Sequence, residues 1–292
     1  MAYGTPARTA DIAPYYANIR GGREPTPERL AELTGRYEAI GGSSPLLAIT
    51  QETARGLAER MGIPVYTGMK HWHPFIEETV TRMHRDGVRR AVAITLAPHY
   101  SRMSVGAYIK AAEEAAAQEG GPRLRYVESW HLHPGLIRTL GERVRSARGL
   151  LDVPEDTHVL FTAHSLPKRI LEWGDPYVVQ LVETSKAVAG AAAVARWSFA
   201  FQSASATGET WLGPDVLDAI RDLRSKDVRG VVVCPVGFVA DHLEVLYDLD
   251  VEAKQLADSL GMRLVRTESL NASTPFIETL AEIAQDALQS AA

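Results

Sequence analysis

The chain has 292 residues, of which 46% are hydrophobic and 23% charged, and its formal net charge is −5. This is the balance of a globular protein long enough for two ordinary domains. It has no apolar run long enough to span a bilayer, no dense basic stripe and no aromatic platform, which excludes a membrane-spanning helix and speaks against nucleic acid as a partner. The one cysteine, Cys234, excludes an internal disulfide and a cysteine-ligated iron–sulfur cluster, and in Val231-Val232-Val233-Cys234 it reads as buried filler. Met1–Pro6 has neither the basic nor the apolar region of a signal peptide, so a cytoplasmic location is expected.

In chain order, short apolar runs alternate with longer helical ones. The first predicted helix, Thr26–Ile40, opens on Thr26-Pro27-Glu28-Arg29 with proline at the first helical position. A strand at Pro64–Thr67 follows, then a helix at Pro74–Asp86, a strand at Arg90–Leu96, a helix at Val105–Gln118, a strand at Leu124–Glu128 and a helix at Pro134–Ala147. The second half continues with strands at Thr157–Phe161, Ala195–Phe201, Gly230–Pro235 and Arg263–Thr267. Between and after them lie helices at Pro176–Ala189, Pro214–Lys226, Asp241–Leu260 and Thr274–Gln289. This alternation predicts an α/β fold with parallel sheets and helices on both faces.

The halves resemble each other. Val88-Arg89-Arg90-Ala91-Val92 recurs 140 residues later as Val228-Arg229-Gly230-Val231-Val232, and the same shift carries Glu128-Ser129 onto Glu268-Ser269. Ala2-Tyr3-Gly4-Thr5-Pro6 and Ala163-His164-Ser165-Leu166-Pro167 share the pattern Ala-X-X-X-Pro. Two similar domains are therefore expected, 1–150 and 151–292, with Tyr3 and His164 at equivalent strand ends facing a shared cleft. The boundary is expected within 145–155, and the C-terminal helix is expected to pack back on the first half. The second half has a full apolar strand ahead of Ala163, whereas nothing stands ahead of Met1. The equivalent strand is expected to be clipped by roughly five to eight residues, which puts the native start upstream of Met1.

Two segments carry chemistry. Thr157–Phe161 reads as a buried parallel strand that runs into Thr162-Ala163-His164-Ser165-Leu166-Pro167, and ligands in open α/β sheets seat outside such carboxyl ends. Pro235–Glu244 leaves a second strand and enters a helix on which Glu244, Asp248 and Glu252 fall at i, i+4 and i+8, on one face. Such a stripe is commonly a solvated face. Here Val245, Leu246 and Leu249 make the adjoining face apolar, and the stripe starts at a strand's carboxyl end. Carboxylate oxygens in a row offer a path for a divalent ion, and imidazole suits iron, zinc or nickel.

Ala163–Pro167, Gln202-Ser203 with Trp211-Leu212-Gly213-Pro214, and Gly237–Tyr247 together resemble the ferrochelatase family. Met1–Pro6, Tyr15-Tyr16, Ile19-Arg20, Arg36–Ile40 and Gly41-Gly42-Ser43-Ser44-Pro45 match its soluble coproporphyrin branch, so the resemblance runs the length of the chain. It implies two similar Rossmann-like domains of the class II chelatase type around a porphyrin cleft. The implied activity is that of a lyase that inserts Fe²⁺ into coproporphyrin III with release of two protons, giving coprohaem in haem biosynthesis. Fe²⁺ is then the substrate metal, and neither an organic cofactor nor an iron–sulfur cluster is expected.

The resemblance implies that His164 and Glu244 form the catalytic and metal-binding pair, with Asp248 and Glu252 as a feeding path. A neutral imidazole with a pKa near the ordinary value of about 6.5 can take a proton or bind metal, a nearby carboxylate favours its charged form, and bound Fe²⁺ opposes it. Tyr3 matches an axial phenol ligand. Arg20, Arg36, Ser44 and Tyr108 match propionate-contacting positions, Tyr37 joins Arg36, and His71 is a second contact near the ring. Arg23 and His73 read as surface, and no matched motif supports His99, His131 or His133. Gly21-Gly22 follow Arg20 where relatives vary, so one propionate contact is expected to be missing. Implied partners are coproporphyrin III, an Fe²⁺ donor and a downstream coprohaem-processing enzyme, and a monomer is expected. The alternatives are a protoporphyrin IX ferrochelatase, a cobalt or nickel chelatase acting on a sirohydrochlorin-type ring, and a porphyrin- or haem-binding protein without turnover.

Overall fold

The computed structural model describes residues 1–151, 157–205 and 208–289, so the expected boundary turn at 152–156 lies outside the described residues. Contacts divide the chain into two units: Met1–Trp130 with Ala240–Leu243 and Asn271–Ala292, and His131–Val239 with Glu244–Leu270. Among the described residues no helix is long and apolar enough to cross a membrane.

The first unit contains α1 (Ile12–Ile19), α2 (Pro27–Ala39), α3 (Leu46–Met61), α4 (Ile76–Arg85), β1 (Arg90–Ile94), α5 (Val105–Glu119) and β2 (Arg123–Val127). β1 and β2 pair in parallel, from Arg90 against Arg123 to Ile94 against Val127. Thr26 caps α2 by accepting the Arg29 amide, as its sequence predicts. α1 and α3 carry weak sequence signals. α1 has no side-chain cap, and the buried face of α3 is Thr50, Thr53 and Leu57. The two threonine hydroxyls donate to the carbonyls of Leu46 and Ile49, which lets polar residues line a buried helix face that no apolar periodicity marks. Pro64–Thr67, expected as a strand, forms no ladder. Its neighbour Met69 makes isolated parallel bridges to Ala2 and Phe75.

The second unit contains α6 (Pro134–Arg148), β3 (Thr157–His164), α7 (Tyr177–Ala191), β4 (Trp197–Gln202), α8 (Val216–Ser225) and β5 (Gly230–Cys234). The following helix has a first turn α9 (Leu243–Val245), a π-helix (Leu246–Ala253) and a last part α10 (Lys254–Ser259), and β6 (Arg263–Arg266) follows. The strand order is β4-β3-β5-β6, all parallel. Val159, Leu160, Phe161 and Ala163 of β3 are fully buried, as the near-continuous apolar run of a two-face-covered strand requires. Cys234 lies in the core, where burial pushes its thiol up to about 12.

The internal repeat is visible in element positions. α4 and α8, β1 and β5, β2 and β6, and α6 and α11 (Thr274–Gln289) begin 140 residues apart (76 and 216, 90 and 230, 123 and 263, 134 and 274). The last pair is exchanged between units. α11 belongs to the first unit and packs on α3, and α6 belongs to the second and packs on α7. The unit division thus differs from a single break near 150, because α6 buries Leu136, Leu140 and Val144 against second-unit elements.

Candidate active site

In the second unit, β3 connects outward to β4 and β5 outward to β6, so the topological switch lies between β3 and β5. Ligands seat outside the carboxyl ends of strands at such a point. His164 is the last residue of β3 and pairs with Gln202, the last of β4. After β5 the chain folds back so that the Gly237 amide donates to the Thr162 carbonyl at 3.2 Å. A Cβ on Gly237 would stand 2.9 Å from Ala163 Cα, closer than real contacts allow. Gly237→Ala is therefore expected to cost about 1–3 kcal/mol of stability through overpacking beside His164, measured by urea denaturation, and to lower turnover in the folded fraction.

Glu244 brings a carboxylate to this strand end. His164 Nε2 lies 3.5 Å from Glu244 Oε1, with the two side chains 30% and 32% exposed. His164 Nδ1–H donates to the Ser165 carbonyl. Burial by itself lowers the imidazole pKa. The Glu244 charge and hydrogen bond, the Ser165 carbonyl and the Asp248 charge outweigh it and raise the value to about 9. At neutral pH the pair is an imidazolium facing a carboxylate, and the neutral imidazole expected from an ordinary value is the minor form.

The acidic stripe runs into the π-helix, a rare i→i+5 winding that often occurs at functional sites. Asp248 is only 5% exposed, so it is no part of a solvated face. Thr162 Oγ1 donates to Gln202 Oε1 at 2.9 Å, and Gln202 Nε2 donates to the Glu244 carbonyl at 3.0 Å and to Asp248 Oδ2 at 3.5 Å. Ser203, at φ 61°, donates its hydroxyl to the same Asp248 oxygen. Glu252 is half-buried one helical repeat further on. Tyr177 donates its hydroxyl to the His164 carbonyl at 3.0 Å, and the Trp211 ring centroid is 6.3 Å from that of His164. Burial, with Glu244 and Asp175 behind it, holds the Tyr177 phenol well above its usual range. Among the described residues no group of three or more His, Cys, Asp or Glu side chains is arranged to hold a metal ion. His164 and Glu244 offer two donors rather than a cage.

In the sequence Gln202, Ser203 and Trp211 stand in a matched motif that gives them no role of their own, and Tyr177 carries no signal beyond its place after Pro176. Gln202→Ala strands Thr162 Oγ1 and loosens both acidic residues. It is expected to cost about 1–3 kcal/mol, read from chemical denaturation.

The remaining candidates lie in the first unit. Tyr3 is 40% exposed, and its ring centroid is 4.6 Å from that of His71. The His71 amide donates to the Tyr3 carbonyl at 2.9 Å, and His71 Nδ1 is 2.9 Å from Asn18 Oδ1. Burial, and the Lys70 charge after it, lowers the His71 pKa to about 4. The ring is thus neutral, and with Nδ1–H donating to Asn18 its Nε2 keeps a lone pair. Tyr37 is 1% exposed and its hydroxyl is 3.3 Å from Thr5 Oγ1, so it supports the turn after Tyr3 from inside. Tyr108 is buried with Ile76, Val80 and Ala112, under the Lys70 ammonium. Ser44 is buried and accepts the Leu46 amide at the start of α3. Arg36 pairs with Glu32 at 3.0 Å, and Arg20 lies over the Tyr16 ring.

A family model described as ferrochelatase matches residues 1–288. The chain belongs to the ferrochelatase family. It is 46% identical to the coproporphyrin III ferrochelatase of Anoxybacillus flavithermus, over 97% of this chain and 93% of that one. It is 41% identical to the ferrochelatase of Herpetosiphon aurantiacus, over 96% of this chain and 95% of that one. The fold is that of SirB from Bacillus subtilis, solved with Fe³⁺. The TM-score is 0.60 at 10% identity, over 82% of this chain and 88% of that one. Family and fold together make the protein a porphyrin-metalating enzyme of the ferrochelatase type, built from two parallel α/β units.

Proposed function

We propose that this ferrochelatase inserts Fe²⁺ into coproporphyrin III in the cytoplasm, with His164 and Glu244 as the pair that meets the metal. The observation that carries the chemistry is the 3.5 Å approach of His164 Nε2 and Glu244 Oε1 at the end of β3. With donors about 2.0–2.2 Å from a divalent first-row ion, the bond lengths of zinc sites, that separation corresponds to an angle of about 110° at a shared ion. Two donors leave the rest of the coordination sphere to water and then to the pyrrole nitrogens, which suits a metal that is handed on.

The raised pKa of His164 orders the steps. Fe²⁺ entering between the pair displaces the Nε2 proton to solvent, since bound positive charge opposes the imidazolium. When the ion passes into the ring, His164 is left neutral beside Glu244 and accepts one of the two pyrrole N–H protons at Nε2. The second leaves through Glu244 or water. Asp248, held by Gln202 and Ser203, adds negative charge behind Glu244, and Glu252 extends the path outward. Tyr3 serves as axial contact, His71 as second contact, and Arg20 and Arg36 as propionate partners, with Ser44, Tyr37 and Tyr108 shaping the wall behind them. Coproporphyrin III as the ring, a downstream coprohaem-processing partner and the absence of an organic cofactor rest on the likeness to the coproporphyrin III relatives. Anaerobic Fe²⁺ insertion assays on both rings are expected to give a kcat/KM for coproporphyrin III at least tenfold that for protoporphyrin IX. The reverse preference would assign the protein to protoporphyrin IX.

A further inference from the structure

The acidic helix of the second unit has a counterpart in the first. α5 ends at Glu119 and α10 at Ser259, 140 residues apart (119 and 259). α5 is α-helical from Val105 onward, whereas Leu246–Ala253 winds as a π-helix. A π turn closes its hydrogen bond one residue later than an α turn, so the side chains beyond it are rotated from where an α-helix would put them. That winding is rare, and contacts from outside the helix must favour it here.

The two copies also differ in how the helix is tied to its sheet. At the positions of Asp250 and Arg266 the first unit has Lys110 and Tyr126 (110 and 250, 126 and 266). Lys110 is exposed and pairs with Glu114, one turn along its own helix, at 3.8 Å. In the second unit Arg266, the last residue of β6, grips Asp250 with both prongs. Its Nε donates to Oδ1 at 2.7 Å and its Nη2 to Oδ2 at 2.8 Å. Its Nη1 donates to the Thr267 carbonyl at 3.0 Å and to Ser269 Oγ at 3.3 Å, which fixes the guanidinium to the end of the sheet. The Arg266 side chain is 13% exposed, so the cation is largely withdrawn from the solvent that weakens surface ion pairs. Asp248, two residues before Asp250, is held from the other side, by Gln202 and Ser203 at the end of β4. β4 and β6 are the two outer strands of the sheet, and residues two apart on a helix do not share a face. The π-helix is thus tied to both edges of the sheet through neighbouring acidic residues.

We propose that Arg266 is a positioning residue for Fe²⁺ supply: its fork on Asp250 holds the π winding that turns Asp248 inward behind Glu244 and sets Glu252 on the outward path. The proposal rests on the reading of Asp248 and Glu252 as a metal path. Arginine suits the task because its planar fork meets both carboxylate oxygens, which a lysine ammonium does not. Without the fork the segment is released to the α winding of its counterpart α5, which carries Asp248 off the Gln202 and Ser203 groups.

Steady-state Fe²⁺ insertion by Arg266→Met, Asp250→Asn and the double variant tests this. Each single change is expected to raise KM for Fe²⁺ by about tenfold, the usual worth of an outer contact behind a metal ligand, and to leave KM for coproporphyrin III unchanged. The double variant is expected to be no worse than either single one, because both changes remove the same link. Arg266→Lys is expected to resemble Arg266→Met more than the intact protein, and it carries the comparison where Arg266→Met does not fold. Hydrogen exchange of the Leu246–Ala253 amides is expected to quicken in all of them. Arg224→Ala removes the 3.0 Å bond from Arg224 Nε to the Leu260 carbonyl, just past the end of the same helix, and is expected to lower Tm with no change in KM for Fe²⁺. A fall in Tm without a change in KM for Fe²⁺ in the Arg266 and Asp250 variants makes the pair merely structural and overturns the proposal. Additive effects in the double variant, or an equal rise in Arg224→Ala, overturn it too. Asp248→Asn separates the positioning role from the path. A raised KM for Fe²⁺ in Asp248→Asn alone leaves the path standing and removes Arg266 from it, whereas an unchanged KM in Asp248→Asn removes the path and the positioning role with it.

Discussion

His164→Ala is expected to lower kcat for Fe²⁺ insertion by a factor of about 100 to 10,000, the usual worth of a positioned proton acceptor, while coproporphyrin III still binds. The reason is local. His164 Nε2 is the nitrogen that faces Glu244, and its partner Nδ1 is already committed to the Ser165 carbonyl. His164 supplies the titratable nitrogen at this strand end, so on the proposed mechanism the variant keeps a carboxylate for the metal and loses the base for the pyrrole proton. Anaerobic turnover paired with fluorescence quenching of the ring separates the two effects. Retention of the full rate would remove His164 from the mechanism. Added imidazole is expected to restore part of the rate, which a merely structural histidine would not permit.

Glu244→Gln is expected to move the pH dependence as well as the rate. Burial lowers the His164 pKa, and Glu244 is the first of the groups that raise it to about 9. Deleting that charge is expected to shift the apparent pKa of the rate profile downward by about 1–3 units and to weaken Fe²⁺ binding. In the intact protein at pH 7, removing the His164 proton costs about 3 kcal/mol, so insertion is expected to quicken as pH rises toward 9. Stability runs the other way. A histidine whose folded pKa lies above its unfolded value contributes stability that is fully present below about 6.5 and is lost as pH rises through about 9. Denaturation midpoints of the intact protein are expected to fall across that window, and those of Glu244→Gln to fall less steeply there. An unchanged rate profile in Glu244→Gln would detach the carboxylate from His164.

The acidic helix shows where sequence spacing stops being enough. The i, i+4, i+8 spacing assumes an α-helix over Asp241–Leu260, whereas the segment begins at Leu243 and winds as a π-helix from Leu246 to Ala253. Asp248 is drawn inside, onto Gln202 and Ser203, which arrive from a strand end more than forty residues earlier. Nothing local to Asp248 announces those partners. The propionate candidates divide in the same way. Arg20 and Arg36 carry charge wherever they stand, but whether Tyr37 and Tyr108 are open donors or inward supports depends on burial, and both are buried.

By itself the sequence determined the α/β class, the internal repeat at a shift of 140, the burial of β3 and Cys234, and the residues of the candidate pair. Each of these depends on short-range pattern or composition: apolar runs, punctuation by proline and glycine, and motif identity. The tertiary structure decided what depends on pairs far apart in the chain. It set the charge state of His164, because the carboxylate that raises its pKa is eighty residues away. It made Gln202 the hub that holds Asp248 and exchanged α6 and α11 between the units. A side chain's field, its partners and the space beside it belong to the folded neighbourhood, and no window of sequence contains that neighbourhood.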